Sequence, residues 1–419
     1  MRRISLIAGA VVTGLVLAAC GGGDGGADTK DVEVFTWWTE GGEKAGLDGL
    51  VKTFNKQYPD YKFVNAAVAG GAGSNAKNVL ASRLQGGDPP ASFQAHAGGE
   101  LSDYIKSGQL QDLSGLYQEE GWDKVFPPGV VEALTFDGKI YSVPANIHRG
   151  NVVWANPEVL KKAGIDKPAT SISAWIQDLE KLKKAGVKEP LSVATDWTQV
   201  HLFETVLIAD LGAEAYSGLW DGKTDWASAE VTKALEEYKT LLSYTNTDRS
   251  GLDWPDALGY VNDGRSAYNV MGDWAVGSLQ EKGLEEGKDW IWHPVPGTDG
   301  IFDFLADSFT LPVSAPNEEG AKAWLKTVGS AEGQKEFNLK KGSIPVRTDA
   351  SPGDYGPYQQ AAIDAFAKDT VVPSLAHGAA ASISWLTDIT SAVGEFGTGG
   401  DVAKFQKALV DAAAKNQKK

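Results

Sequence analysis

Val32-Glu33-Val34-Phe35-Thr36-Trp37-Trp38 alternates apolar and polar side chains and is rich in β-branched and aromatic types, so it reads as a strand. It stops at Thr39-Glu40-Gly41-Gly42. Leu47, Leu50, Val51, Phe54 and Tyr58 follow at helical spacing, and Pro59 ends that helix. Tyr61 to Val68 reads as a second strand and Asn75 to Leu84 as a second helix, with Val79 and Leu80 inward. Pro89-Pro90 breaks the chain before a short third strand, Ser92-Phe93-Gln94-Ala95-His96. Strand, helix, strand, helix, strand predicts an α/β fold on a mainly parallel sheet, because parallel neighbours need a crossover that a helix supplies.

Downstream, Tyr141-Ser142-Val143-Pro144 leads into a strand-like Asn151-Val152-Val153-Trp154 and then Pro157 to Gly164. Ile172, Trp175, Ile176, Leu179 and Leu182 make one face of an amphipathic helix, supported by Glu180 and Lys184. Leu202 to Leu242 is helical with breaks at Gly212, Gly218 and Asp221-Gly222; residues 265–272 form a buried strand, and Ser308 to Val313 another. Gly320 to Lys340 is helical, and the C-terminal stretch is Ala-rich helix. The chain is too long for one ordinary core, and no Gly/Ser linker divides it, so two lobes joined by strand crossings are expected.

Upstream, Arg2 and Arg3 precede the apolar run Ile4 to Ala19, which closes on Leu17-Ala18-Ala19-Cys20. That run falls short of the ~20 apolar residues that span a bilayer. A charged start, an apolar stretch and small residues before a cysteine make a bacterial lipoprotein signal. Residues 1–19 are therefore expected to be removed, Cys20 to carry the lipid, and the Gly-rich residues 20–30 to act as a flexible tether. Each buried CH₂ of an acyl chain contributes roughly 0.8 kcal/mol of membrane affinity. The expected location is extracytoplasmic, in the periplasm or on the outer face of the cell membrane.

Cys20 is the one cysteine among 419 residues, which leaves no disulfide and no thiolate metal site. The net charge of −16, made more negative when Arg2 and Arg3 are lost, repels phosphate backbones and anionic lipid alike. Nucleic acid is excluded as a partner, and membrane attachment falls to the lipid. Fourteen tryptophans are an unusual load; most belong in a core, but a subset in a cleft would give flat faces for the C–H face of a sugar ring.

Motifs narrow the chemistry. Gly71-Ala72-Gly73-Ser74-Asn75-Ala76 fits a relaxed dinucleotide fingerprint, but it follows the second strand and lacks the later acidic residue, so a tight strand-to-helix turn is the better reading. There is no Gly-x-Ser-x-Gly, no His-Glu-x-x-His and no phosphate-binding loop, and no cofactor or metal is expected. The five histidines are scattered; His96 and His148 stand out because each ends a strand among polar residues, where open α/β sheets bind ligands. Asp273-Trp274, Asp307-Ser308, Lys341-Gly342-Ser343 and Arg347 could bond hydroxyls, but taken alone they read better as caps and surface charges.

Several stretches occur in a fixed order: Thr36-Trp37-Trp38, Phe93 to Gly98, Pro144 to Arg149, Trp197 to His201, Met271 to Trp274, Asp307-Ser308-Phe309, Lys341 to Arg347 and Ser374 to Gly378. Together they resemble the extracellular solute-binding proteins of ABC sugar importers, of the maltose-binding-protein-like class, and within it the glucose-binding branch. The resemblance implies a two-lobe periplasmic-binding-protein fold of type II-like topology, with residues 31–143 and 300–345 in one lobe and 144–299 and 346–419 in the other. Crossings would lie near Val143-Pro144, Gly297 to Gly300 and Pro345-Val346. It implies that Trp37, Trp38 and Trp274, with Trp254, stack on a monosaccharide, and that Gln94, His96, Asp307, Lys341 and His377 bond its hydroxyls. An acidic contact is implied after the tryptophans, for which Glu43 is preferred and Glu40 stays open. Asn146, His148 and Arg149 would sit near hinge and cleft. The implied partners are glucose (or galactose or mannose) and an ABC permease with its ATPase, and a monomer is expected. The alternatives are an extracellular glycoside hydrolase using a carboxyl pair such as Asp273 and Asp307, and a receptor for another small polar solute.

Overall fold

The computed structural model describes residues 30–417. The expected signal, Cys20 and nearly all of the tether lie outside them. The strands run in chain order as β1 (Asp31–Phe35), β2 (Lys62–Asn65), β3 (Ser92–His96), β4 (Thr135–Phe136), β5 (Lys139–Ile140), β6 (Ser142–Pro144) and β7 (His148–Arg149). They continue as β8 (Val152–Ala155), β9 (Leu191–Ser192), β10 (Tyr268–Val270), β11 (Ile291–Pro294), β12 (Ile301–Leu305), β13 (Asp307–Thr310) and β14 (Thr370–Pro373).

Two sheets organise the molecule. The first has the order β2-β1-β3-β13-β6, with β1 parallel to β2 and β3, and β13 antiparallel to β3 and β6. Its helices Gly41–Gln57, Glu318–Gly329 and Ala331–Lys341 pack on one another and on its strands. The second has the order β11-β8-β10-β9, again with one strand, β8, opposed to its neighbours. Helices Asp196–Asp221, Ala229–Leu242, Ile383–Gly399 and Val402–Asn416 build its flank. The buried apolar residues divide into two large clusters, one around Trp38, Phe93 and Trp324 and one around Trp175, Phe203 and Phe405. This is the two-lobe α/β architecture.

A third sheet, β14-β12-β7, carries the chain between the two. Only Ala306 separates β12 from β13, and only residues 145–147 separate β6 from β7, yet each pair is divided between sheets. The crossings therefore bring Leu305, Asp307 and His148 to one place.

Some elements depart from their sequence reading. The first strand closes at Phe35, because the next backbone N–H groups turn to side chains: Trp37 donates to Gln94 Oε1 (3.3 Å) and Trp38 to Thr36 Oγ1 (3.3 Å). The second strand is shorter than Tyr61–Val68. In helix Ser74–Gln85, Leu80 is buried while Val79 is 42% exposed. Gly218 lies inside helix Asp196–Asp221, which bends at Gly212 (φ 74°) and ends at Gly222 (φ 81°). Ser330 splits the helical stretch 318–341, capping the second piece by accepting from Gly333 N (2.9 Å). β14 interrupts the C-terminal helices.

Candidate functional site

The site is built where β3 ends and β13 begins, since register pairs His96 with Asp307 and Gln94 with Phe309. Asp307 is the hub. Its carboxylate accepts from Gln94 Nε2 (2.9 Å), Asn146 Nδ2 (2.9 Å) and His148 Nε2 (3.1 Å), and its backbone N–H donates to Asn146 Oδ1 (2.8 Å). Burial pushes this carboxyl up, but His148, Lys341 and His96 around it win and hold it well below the usual carboxylate range. His148 is clasped on its other side by Asp273. Burial favours its neutral form, yet the two carboxylates raise its pKa above the ordinary histidine value.

Lys341 ends the helix Ala331–Lys341 and donates to Glu43 Oε1 (2.5 Å), in the first turn of helix Gly41–Gln57. Behind His96, Glu100 accepts from His96 Nδ1 (2.7 Å) and pairs with Lys77 (2.9 Å). Burial alone would raise Glu100, but Lys77 and His96 bring it down to about 2.

These groups face a small cavity, about 20 Å³ of free space and so roughly one water's worth. Its polar wall is Glu43, His96, His148, Asp307, Lys341 and His377. Its aromatic wall is Trp37, Trp197, Trp254 and Trp274, with Ala72 and Leu305 between. Trp274 meets His148 edge-on (centroids 5.2 Å, 89°) and His377 at 4.9 Å and 70°, while Trp37 tilts over His96 at 5.0 Å. The cavity shares Trp37, Glu43 and Trp254 with an adjoining chamber of about 360 Å³, which Glu40 also lines. A pyranose would need the walls to part from this tight arrangement.

Of the residues singled out from sequence, Trp38 and Gln94 do not line the cavity. Trp38 turns into the core against Phe337 (4.8 Å) and Phe309 (5.6 Å), beyond the bend that follows β1 at Trp37. Gln94 lies beneath, holding Thr36 and Asp307. Of the two glutamates left open, Glu43 is the one on the cavity. Asn146 braces Asp307; Arg149 points away, donating to Ile301 O (3.1 Å) and Asn151 Oδ1 (3.1 Å); Arg347 pairs with Asp349 outside the cavity. Trp197, which carries no expected role in its stretch Trp197 to His201, also lines the cavity. It sits in the first turn of helix Asp196–Asp221.

The Gly71–Gly73 turn packs against the aromatic wall: a Cβ on Gly73 (φ +74°) would come within 2.7 Å of Trp37, and one on Gly71 within 2.6 Å of Trp197. Its glycines serve close packing, as a tight strand-to-helix turn requires. No metal is assigned: His201, Glu204 and His377 bring ligand-type atoms within 4.8 Å of one another, but all three are already hydrogen-bonded.

The sequence model of the family described as bacterial extracellular solute-binding protein matches residues 38–335. An uncharacterized ABC transporter extracellular-binding protein of Pyrococcus horikoshii is 36% identical over 98% of this chain and 95% of its own length. The xylose/arabinose-binding protein XacG of Haloferax volcanii is 30% identical over 90% of this chain and 82% of its own. The glucose-binding protein GlcS of Saccharolobus solfataricus is 24% identical over 78% of this chain and 64% of its own. Among solved structures, a chitin oligosaccharide binding protein superimposes with a TM-score of 0.80 at 21% identity, covering 93% of this chain and 100% of that one.

Proposed function

Because the chain belongs to the bacterial extracellular solute-binding protein family, we propose that it is the sugar receptor of an ABC importer and that its ligand is a monosaccharide, glucose first. The carrying observation is the cavity itself, with four indoles enclosing two carboxylates, a lysine and three histidines at the crossing of two sheets. Indole faces suit the apolar side of a pyranose, and fixed donors and acceptors suit its hydroxyls. The names of the xylose/arabinose- and glucose-binding relatives support a sugar.

Sugar touching both sheets would favour the shut form, since only that form makes both sets of contacts. The shut form would then dock on a permease served by an ATPase. The lobes proposed are residues 31–143 with 300–345 and 144–299 with 346–419, acting as a monomer tethered through Cys20. Among the described residues no helix is long and apolar enough to cross a membrane.

A hydrolytic reading is disfavoured by the state of its carboxyl pair. Glycoside cleavage needs one carboxyl with a raised pKa as acid, whereas Asp307 is held well below the ordinary range and both Asp273 and Asp307 are spent clasping His148. A thermal-shift panel of glucose, galactose, mannose, xylose and amino acids tests the proposal. A rise in Tm with glucose above all is expected; a response to amino acids alone would overturn it.

A further inference from the structure

The three cavity histidines are each tied to a different partner behind them. His148 has Asp273 at Nδ1, and Asp307 (3.1 Å) with the Asn146 amide (2.9 Å) at Nε2. His96 donates from Nδ1 to the ionised Glu100. His377 differs: its Nε2 is 3.0 Å from His201 Nδ1, and His201 Nε2 is 2.8 Å from the carbonyl oxygen of Gly150. A carbonyl only accepts, so His201 Nε2 carries a proton. Burial lowers the His201 pKa to about 4, keeping the ring neutral and its Nδ1 a lone pair. The proton in the 3.0 Å contact therefore belongs to His377 Nε2.

Burial, with His201, His96, Lys77 and His148 as neighbours, keeps His377 neutral as well, and the nearby Glu204 carboxyl is itself pushed up by burial, so His377 Nδ1 is a second lone pair. Among the described residues nothing donates to that nitrogen, and His377 lines the cavity.

We propose that His201 is a positioning residue that locks the tautomer of His377, so that His377 meets the ligand as a hydrogen-bond acceptor through Nδ1. This rests on the reading of the cavity as a sugar site, and it adds a rule of selectivity. The ligand atom opposite His377 must be a hydroxyl that donates; a fluorine or hydrogen in its place is rejected because the buried acceptor is left unpaired. Gly150, at the foot of the relay, fixes the proton order of both rings with one carbonyl.

The test has two arms. In the first, full-length protein labelled with ¹⁵N-histidine is examined without sugar by long-range ring ¹H–¹⁵N correlation. His201 and His377 should each show a protonated Nε2 and an unprotonated Nδ1. A proton on His377 Nδ1, or a cationic pattern near neutral pH, overturns the proposal. In the second, glucose affinity is followed across pH 5 to 8 in two variants. His201→Gln can accept from His377 and donate to Gly150, so it should stay within about threefold of the parent. His201→Phe breaks the relay and should weaken binding by about tenfold or more, with a new loss of affinity as His377 protonates towards acid pH. Equal losses in both variants with no change in pH profile would mean mere packing and would sink the idea. If His201→Phe does not fold, the first arm decides; if no sugar binds the parent, the receptor reading fails while the first arm still judges the relay.

Discussion

Asp307 shows how much one side chain can organise. It gathers Gln94, Asn146 and His148 and lies between two crossings of the chain. Asp307→Ala should weaken sugar binding at least about tenfold by calorimetry, because a charged acceptor at the centre of the cavity is lost. Asp307→Asn keeps the shape and should also bind weakly while matching the parent Tm more closely. Full affinity in Asp307→Asn would take the charge out of the recognition scheme. Single residues were also where sequence reading was sharpest and most easily misled. His96, Asp307, Lys341 and His377, expected together because their motifs keep the order of a family pattern, all line the cavity. Trp38, expected on the ring from the same motif as Trp37, is buried in the core and off the cavity. Trp197 stayed unassigned because, read along the chain, a tryptophan in a helix's first turn has the same signature as core.

At the scale of elements, two helices meet without side chains between them. A Cβ on Gly42, in helix Gly41–Gln57, would come within 2.8 Å of the Gly277 backbone in helix Ala275–Glu281. Gly42→Ala should therefore hold the two helices apart and lower ligand affinity severalfold, mainly through faster release, with Tm of the unliganded protein nearly unchanged. Stopped-flow dissociation measures this, and an unchanged off-rate counts against close approach as the shut state. The helices and the β1–β3 pattern were readable from apolar spacing, which needs several turns or pleats to register. β7 and β9 are two residues each, too short for any period, and β12 and β14 are assigned by their pairing and not by their own residues.

For the whole molecule, a buried acid pair links the lobes' junction to pH. Glu204 and Asp303 are both buried; burial raises Glu204 well above its usual value and Asp303 to about 7. Folded protein thus holds protons that the unfolded chain has released, so this contribution is complete below about pH 4 and is lost as pH rises through about 7. His201 works oppositely: its folded pKa of about 4 lies below the unfolded value, and stability gained there is complete above about pH 6.5. Measured between pH 6.5 and 8.5, Asp303→Asn should flatten the fall in Tm by a few °C relative to the parent; parallel curves would remove the pair from the account. A second whole-molecule expectation concerns attachment: Cys20→Ser should leave the protein in the soluble fraction, and membrane-bound Cys20→Ser protein would refute lipid tethering. The two-lobe plan itself was readable from length and element order, whereas the interleaving of segments at the crossings depends on pairings hundreds of residues apart, which no local pattern carries.

The single alanine between β12 and β13 has a further consequence. With Ala306 as the sole spacer, Asp307 directly follows a crossing between sheets, and a swing of the halves about that crossing would move it little. An arriving ligand would find this carboxylate already waiting in the gaping molecule. Indoles carried on segments away from that crossing would sweep in afterwards. Capture would then run from the centre to the rim, the polar grip deciding which molecule stays and the flat walls deciding how long.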